Sequence, residues 1–140
     1  MSVFSYIKEY LIERKRRRRL HAAVGEFPVL TKLCGVKAAD TQGALAQSAE
    51  GDGLQLVHIP LPDYPHNVYV YSIPLNRILG YLDQRLANAL VSCFGEGFCL
   101  DGELIRVTGG TPYPHFGGEI LIFSTKDLLR DCKDFSHLYP

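Results

Sequence analysis

The chain reads as a mainly β fold with some α, a small β-barrel of about six short strands with an embedded helix, preceded by a basic N-terminal helix. Three observations carry that reading. Apolar runs of four to eight residues, bounded by Pro and Gly, recur from Val29 onward. One stretch, after Asp83, shows helical spacing inside this β-rich region. The first two dozen residues differ from the rest in both charge and periodicity. A chain of 140 residues, 46% hydrophobic and 21% charged, is enough for one modest core.

Phe4, Ile7, Tyr10 and Leu11 recur at three- and four-residue steps, which predicts a helix over 3–20 with Ser2 as N-cap, ending before Gly25 and Pro28. Val29 to Val36 is the first expected strand. The polar, Gly- and Ala-rich segment from Ala38 to Gly53 reads as a loop or mobile connection. Leu54–Ile59 and Val68–Ile73 alternate as strands, separated by Pro60-Leu-Pro-Asp-Tyr-Pro-His-Asn67, whose prolines exclude a helix and a central strand.

Ile78–Leu82 is a short strand. Asp83 caps a helix running to about Cys93, with Leu86, Ala87, Leu90 and Val91 on one face and Gly95 and Gly97 as its stop. Leu104–Thr108 and Glu119–Ser124 are further strands around a Gly/Pro loop at 109–118, and a short helix from Thr125 to about Cys132 closes the chain. The expected organisation is a basic helix over 1–24, a barrel over 28–125 with sequentially adjacent strands, and a C-terminal helix and tail over 126–140.

Net charge is zero, yet it is divided unevenly. Residues 1–19 hold seven basic residues against Glu9 and Glu13, a net of +5; the other 121 hold eight basic and thirteen acidic residues, a net of −5. Such asymmetry points to a basic arm that meets an anion. Arg14, Lys15, Arg16, Arg17, Arg18 and Arg19 are consecutive, so at about 100° per residue they form a collar rather than a face. If all six engaged phosphates, the log–log salt slope of binding to duplex DNA would be about −5.

The four cysteines form no Cys-x-x-Cys pair, which favours thiols in a reducing, cytoplasmic setting, with Cys34 and Cys93 buried in the core. No secretory signal is visible, because Lys8 and Glu9 interrupt the apolar start. No Gly-x-Gly-x-x-Gly opens a helix, and there is no phosphate-binding Gly-x-x-x-x-Gly-Lys and no His-Glu-x-x-His. Gly95-Glu-Gly-Phe98 follows a helix and reads as a C-cap. The expectation is a binding protein, not an enzyme, with no cofactor and no metal site.

Pro62-Asp-Tyr-Pro-His-Asn67 and Thr111-Pro-Tyr-Pro-His-Phe116 both contain Tyr-Pro-His. Proline stiffens such loops and holds an aromatic ring and an imidazole outward at low entropic cost. Tyr64, His66, Tyr113 and His115 are therefore candidate stacking and contact residues for bases, framing a shallow cleft if the loops lie side by side.

Residues 54–90 taken together resemble a HIRAN domain, the small SH3-like barrel found alone in bacteria and fused to SWI/SNF-type DNA translocases. The matching stretch is Pro62-Asp63-Tyr64-Pro65-His66-Asn67, then Val68-Tyr-Val-Tyr71, then Gly80-Tyr81-Leu82-Asp83-Gln84-Arg85-Leu86-Ala87; Leu33-Cys34-Gly35-Val36 sits where the family places the Gly of its first strand. The resemblance spans about residues 28–124. It implies an SH3-like barrel with a groove for single-stranded DNA at its 3′ end and Tyr64 as a stacking residue. The family's Asp after the loop tyrosine is Pro65 here, and its first-strand aromatic pair falls on Lys32 and Leu33, with Lys32 left to meet a phosphate. Asn67 and Gly80 are expected as framework, Asn67 bridging its loop and Gly80 admitting a close backbone approach.

The function expected is a non-catalytic nucleic-acid-binding module for single-stranded or end-containing DNA. The alternative is a protein-interaction or membrane-surface module using the N-terminal helix. Self-association of the basic arm with an acidic body is a further possible partnership, and an anionic membrane surface ranks below DNA.

Overall fold

The computed structural model describes residues 3–24, 28–94, 98–110, 112–123 and 136–138. Helix α1 spans Val3–Val24 and strand β1 Val29–Lys32; helix α2 spans Ala39–Gln47; β2, β3 and β4 span Gly53–His58, Val68–Ser72 and Arg77–Tyr81. Helix α3 spans Gln84–Phe94, followed by β5, Cys99–Gly109, and β6, Phe116–Ile122. The fold is the small β-barrel type with helices that the sequence predicts.

All six strands are antiparallel in one sheet of order β1-β6-β5-β2-β3-β4. The expectation of sequentially adjacent strands is corrected, because β1 pairs with β6 and β5 with β2. The helical crossover α3 makes the second pairing possible by carrying the chain from β4, at one edge, back to the middle of the sheet. The two edges also meet. Cys34, just beyond β1, exchanges both backbone hydrogen bonds with Tyr81 of β4, at 2.9 and 3.0 Å. An edge-to-edge bridge requires the sheet to curl into a barrel wall.

Two glycines make that seam. A Cβ on Gly80 would lie 2.5 Å from the Cys34 carbonyl oxygen, which is the close backbone approach expected of this position. Gly35 has φ +65, and a Cβ there would lie 2.0 Å from Cε1 of Tyr81, so the tyrosine ring lies against bare backbone. The turn at Gly35 also explains why β1 stops at Lys32 rather than continuing to Val36.

The core is built as the alternation predicts. Leu54 and Leu56 of β2, Val68 and Val70 of β3, and Ile120 and Ile122 of β6 point inward and meet Leu86, Ala87, Leu90 and Val91 of α3. Asp83 caps α3, its Oδ1 accepting from the Leu86 N–H at 3.0 Å. On the other face Val57, Ile59, Tyr71 and Cys99 form a smaller cluster under Leu138.

Several expectations are corrected. Residues 38–53 are not a loop: they contain α2, whose Ala44 and Leu45 are buried, and the start of β2. Gln42 pins this helix, its amide donating to the Val36 carbonyl and, at 2.9 Å, to that of Phe116, while its Oε1 accepts from the Phe116 N–H at 2.8 Å. β5 begins five residues earlier than Leu104, because Asp101-Gly102 is strand, with Gly102 packed so tightly that a Cβ would lie 2.8 Å from the Leu121 carbonyl oxygen. β6 begins at Phe116 rather than Glu119. Cys99 is disulfide-bonded, against the expectation of thiols throughout, whereas Cys34 and Cys93 carry thiols, Cys93 buried as expected and Cys34 only half-buried at the barrel seam. The expected stop at Gly95 and Gly97 and the helix expected over 125–132 lie outside the described residues.

Candidate nucleic-acid interface

The loop between β2 and β3 is held rigidly from below. Leu61 and Tyr64 exchange backbone hydrogen bonds of 3.1 Å each across its tip. Asn67, 1% exposed, donates from Nδ2 to the Ile59 carbonyl at 3.1 Å, bridging the loop as expected, although the bond spans eight residues. His58 sits beneath. Its ring is buried, stacked on Phe98 at 5.8 Å and 11°, and its Nε2 lies 2.8 Å from the Pro65 carbonyl oxygen. A carbonyl only accepts, so Nε2 carries the proton.

Above this support lies a cleft of about 520 Å³, walled by Tyr64, Tyr69 and Tyr81, floored by Gly35 and Gly80, and edged by Thr41, Asp63, Asn67 and Gln84. Tyr69 and Tyr81 are cross-strand partners on β3 and β4, which sets their rings side by side on one face. Asp63 carries the one formal charge among the described lining residues. The cleft continues past Thr41 and Ile78 into a second groove that contains Arg77.

Tyr64 is half-buried against the core, and its hydroxyl is buried with no hydrogen-bond partner. Burial pushes its phenol above the ordinary 10.0, with Asp83, Cys34 and Tyr81 pushing the same way. Burial, then Asp83, raises the Cys34 thiol above 9.0, so it stays protonated at neutral pH. These groups make an aromatic, amide-lined site whose one formal charge among the described lining residues is the Asp63 carboxylate. It suits a planar or amphipathic ligand with a donor for Asp63, and it offers no cation to a phosphate.

The candidate residues do not all converge here. Tyr64 lines the cleft. His66 turns away, its Nδ1 2.9 Å from Oδ1 of Asn88 on α3. Tyr113 and His115 stand exposed on the β5–β6 hairpin and contribute nothing to the cleft, so the two Tyr-Pro-His loops do not frame it together. Lys32 is exposed at the end of β1, in register with Glu119. Arg14, Lys15 and Arg18 are exposed on α1, and Arg16, Arg17 and Arg19 follow on the same helix. Among the described residues no group of three or more His, Cys, Asp or Glu is placed to hold a metal ion.

Sequence reasoning missed Tyr69, Tyr81, Asp63 and His58. Alternation in Val68-Tyr-Val-Tyr71 marks Tyr69 as facing away from the core, but its pairing with Tyr81 depends on a register shifted by the irregularity at Val70/Tyr71. Fold and cleft together define a small β-barrel protein with an aromatic-walled groove and a separate basic helix that packs on α3. Comparison with protein families, curated proteins and solved structures returned no match to the chain.

Proposed function

We propose that this chain is a non-catalytic nucleic-acid-binding module for single-stranded or end-containing DNA. The observation that carries this reading is the wall of Tyr64, Tyr69 and Tyr81 around a cleft edged by the single carboxylate of Asp63. Unstacked bases present π faces that such rings can cover, at about 1–3 kcal/mol per stacked base. No cation is among the described residues that line the cleft, so the phosphates fall to the basic run of α1, Arg14 to Arg19. Division of labour of this kind gives strong, sequence-blind affinity from the arm and a preference for unpaired or terminal bases from the cleft. The likeness to HIRAN domains over residues 62–87 supports the same reading.

Fluorescence anisotropy with labelled single-stranded, duplex and 3′-blocked oligonucleotides, at low and high salt, tests it. The expected result is tighter binding to single strands that falls steeply with salt. Tyr64→Ala should weaken single-strand binding by about 1–3 kcal/mol, and Ala at Arg16–Arg19 should remove most affinity for every oligonucleotide. Absence of binding at low salt would sink the proposal; loss of single-strand preference in the wild-type chain would leave only the arm.

A further inference from the structure

DNA binding leaves the N-terminal half of α1 unexplained. Phe4, Ile7, Tyr10 and Leu11 are 85%, 47%, 59% and 52% exposed, although α1 as a whole packs against α3. At 3.6 residues per turn, positions 4, 7, 11, 14 and 18 fall along one face. That face therefore begins apolar, with Phe4, Ile7 and Leu11, and continues basic, with Arg14 and Arg18, over about 21 Å of helix axis at 1.5 Å per residue. Apolar and basic groups do not lie on opposite faces, as a helix divided simply into apolar and polar halves would have them. They follow one another on the same face, while Glu9 projects from the opposite one. Where the halves join, a depression of about 300 Å³ is lined by Leu11 and Ile12 with Lys8, Arg14, Lys15 and Arg18 around them.

We propose that this face of α1 is a docking surface for an anionic phospholipid bilayer, Phe4, Ile7 and Leu11 entering the acyl boundary and Arg14, Lys15 and Arg18 holding the headgroup phosphates. Among the occupants available, an anionic bilayer satisfies both halves of the face. Nucleic acid answers the cations and leaves the apolar stripe in water. A second copy offers an acidic body to the cations, but the exposed large apolar side chains described there, Leu30, Ile73, Tyr81, Tyr113 and Phe123, come from separate segments of the barrel rather than from one element. The aliphatic stems of arginine and lysine extend the apolar contact while their heads reach the phosphates. No described helix is long and apolar enough to cross a membrane, so the mode is interfacial, with the stripe about 5–10 Å deep.

The test is flotation of the full chain with vesicles of phosphatidylcholine alone and of phosphatidylcholine mixed with phosphatidylserine. Flotation only with the mixed vesicles is expected. The Ile7→Gln/Leu11→Gln variant should weaken partition on the order of thirtyfold while leaving oligonucleotide anisotropy unchanged, which separates this proposal from the nucleic-acid reading. Gln at Arg14, Lys15 and Arg18 should weaken it about fivefold per cation removed. Circular dichroism of each variant confirms that the helix content is retained. Failure to float with anionic vesicles at low salt overturns the proposal. So does flotation unaffected by the apolar double variant, or sedimentation showing that the wild type self-associates and this variant does not, which would make a second copy the occupant.

Discussion

In the loop of residues 60–67, Tyr64-Pro65-His66 is held from below by His58 and Asn67, and its tyrosine packs against the core; at Tyr113-Pro114-His115 the same tripeptide stands on a hairpin tip with its tyrosine 69% exposed. The chemistry of the three residues is identical, so the difference comes from what lies beneath. The first loop joins β2 to β3 at a point where the long crossover through α3 brings Phe98 and the start of β5 underneath. The second links two strands of a simple hairpin, and its described backbone bonds are local: the Tyr113 N–H to Gly110 at 2.6 Å, and the Gly110 N–H to His115 at 3.4 Å. A stiff loop becomes part of a binding wall only when buried side chains fix its position. Proline alone supplies stiffness without placement.

Five substitutions press on this contrast. The largest effect is expected from His58→Ala, which removes a buried stacked ring and leaves the Pro65 carbonyl without its donor; it should cost about 3 kcal/mol in urea unfolding, whereas His115→Ala should stay within about 0.5 kcal/mol. Equal costs would erase the distinction between the loops. Asn67→Ala leaves the Ile59 carbonyl unsatisfied in a buried setting and should cost about 2 kcal/mol.

Tyr64→Phe has the opposite sign. Its hydroxyl is buried and unpartnered, so removing it should stabilise the fold by about 1 kcal/mol at neutral pH. A destabilised Phe variant would mean that the hydroxyl has a partner in solution. Tyr113→Ala is the smallest effect, within about 0.5 kcal/mol of wild type, and should also leave single-strand affinity near the wild-type value.

Titration sharpens the comparison further. Tyr64 and Cys34 have pKa values raised in the folded state above their ordinary 10.0 and 9.0, burial being the largest cause for both. Each is an acid whose neutral form is favoured by folding. Its contribution is therefore fully present below the ordinary value and is lost as pH climbs from that value through the raised one. Stability measured by urea unfolding should decline above about pH 9, reflecting the ordinary thiol value, and Tyr64→Phe should make the decline shallower. Asp83→Asn keeps a capping oxygen on α3 while removing a charge that raises both groups, so it should also make the decline shallower.

Where the local pattern matched the final environment, the elements were legible in the sequence. The strands around Leu54–His58 and Val68–Ser72, the Asp83 cap and the buried face of α3 follow from periodicity and one carboxylate. Helix α2 was not legible, because its sequence buries only Ala44 and Leu45 and its N-cap, Ala38, makes no side-chain bond. What holds it is Gln42, bonded to Val36 on one side and to Phe116, far away in sequence, on the other. The early part of β5 was hidden by Asp101-Gly102, a pair that signals a turn when no neighbouring strand is known. Its glycine is required by the approach of the Leu121 backbone.

The same division runs through the candidate site. Sequence alone determined the basic run, the stiff proline loop and Tyr64 as an aromatic of interest, since charge and proline geometry are properties of a residue and its immediate neighbours. Tertiary structure decided that Tyr69 and Tyr81 join Tyr64, that His66 turns to Asn88, and that Tyr113 and His115 stand apart. Those outcomes depend on strand order and register, and on the Cys34–Tyr81 seam. These are set by pairings between residues distant in the chain, and short-range pattern carries no record of them.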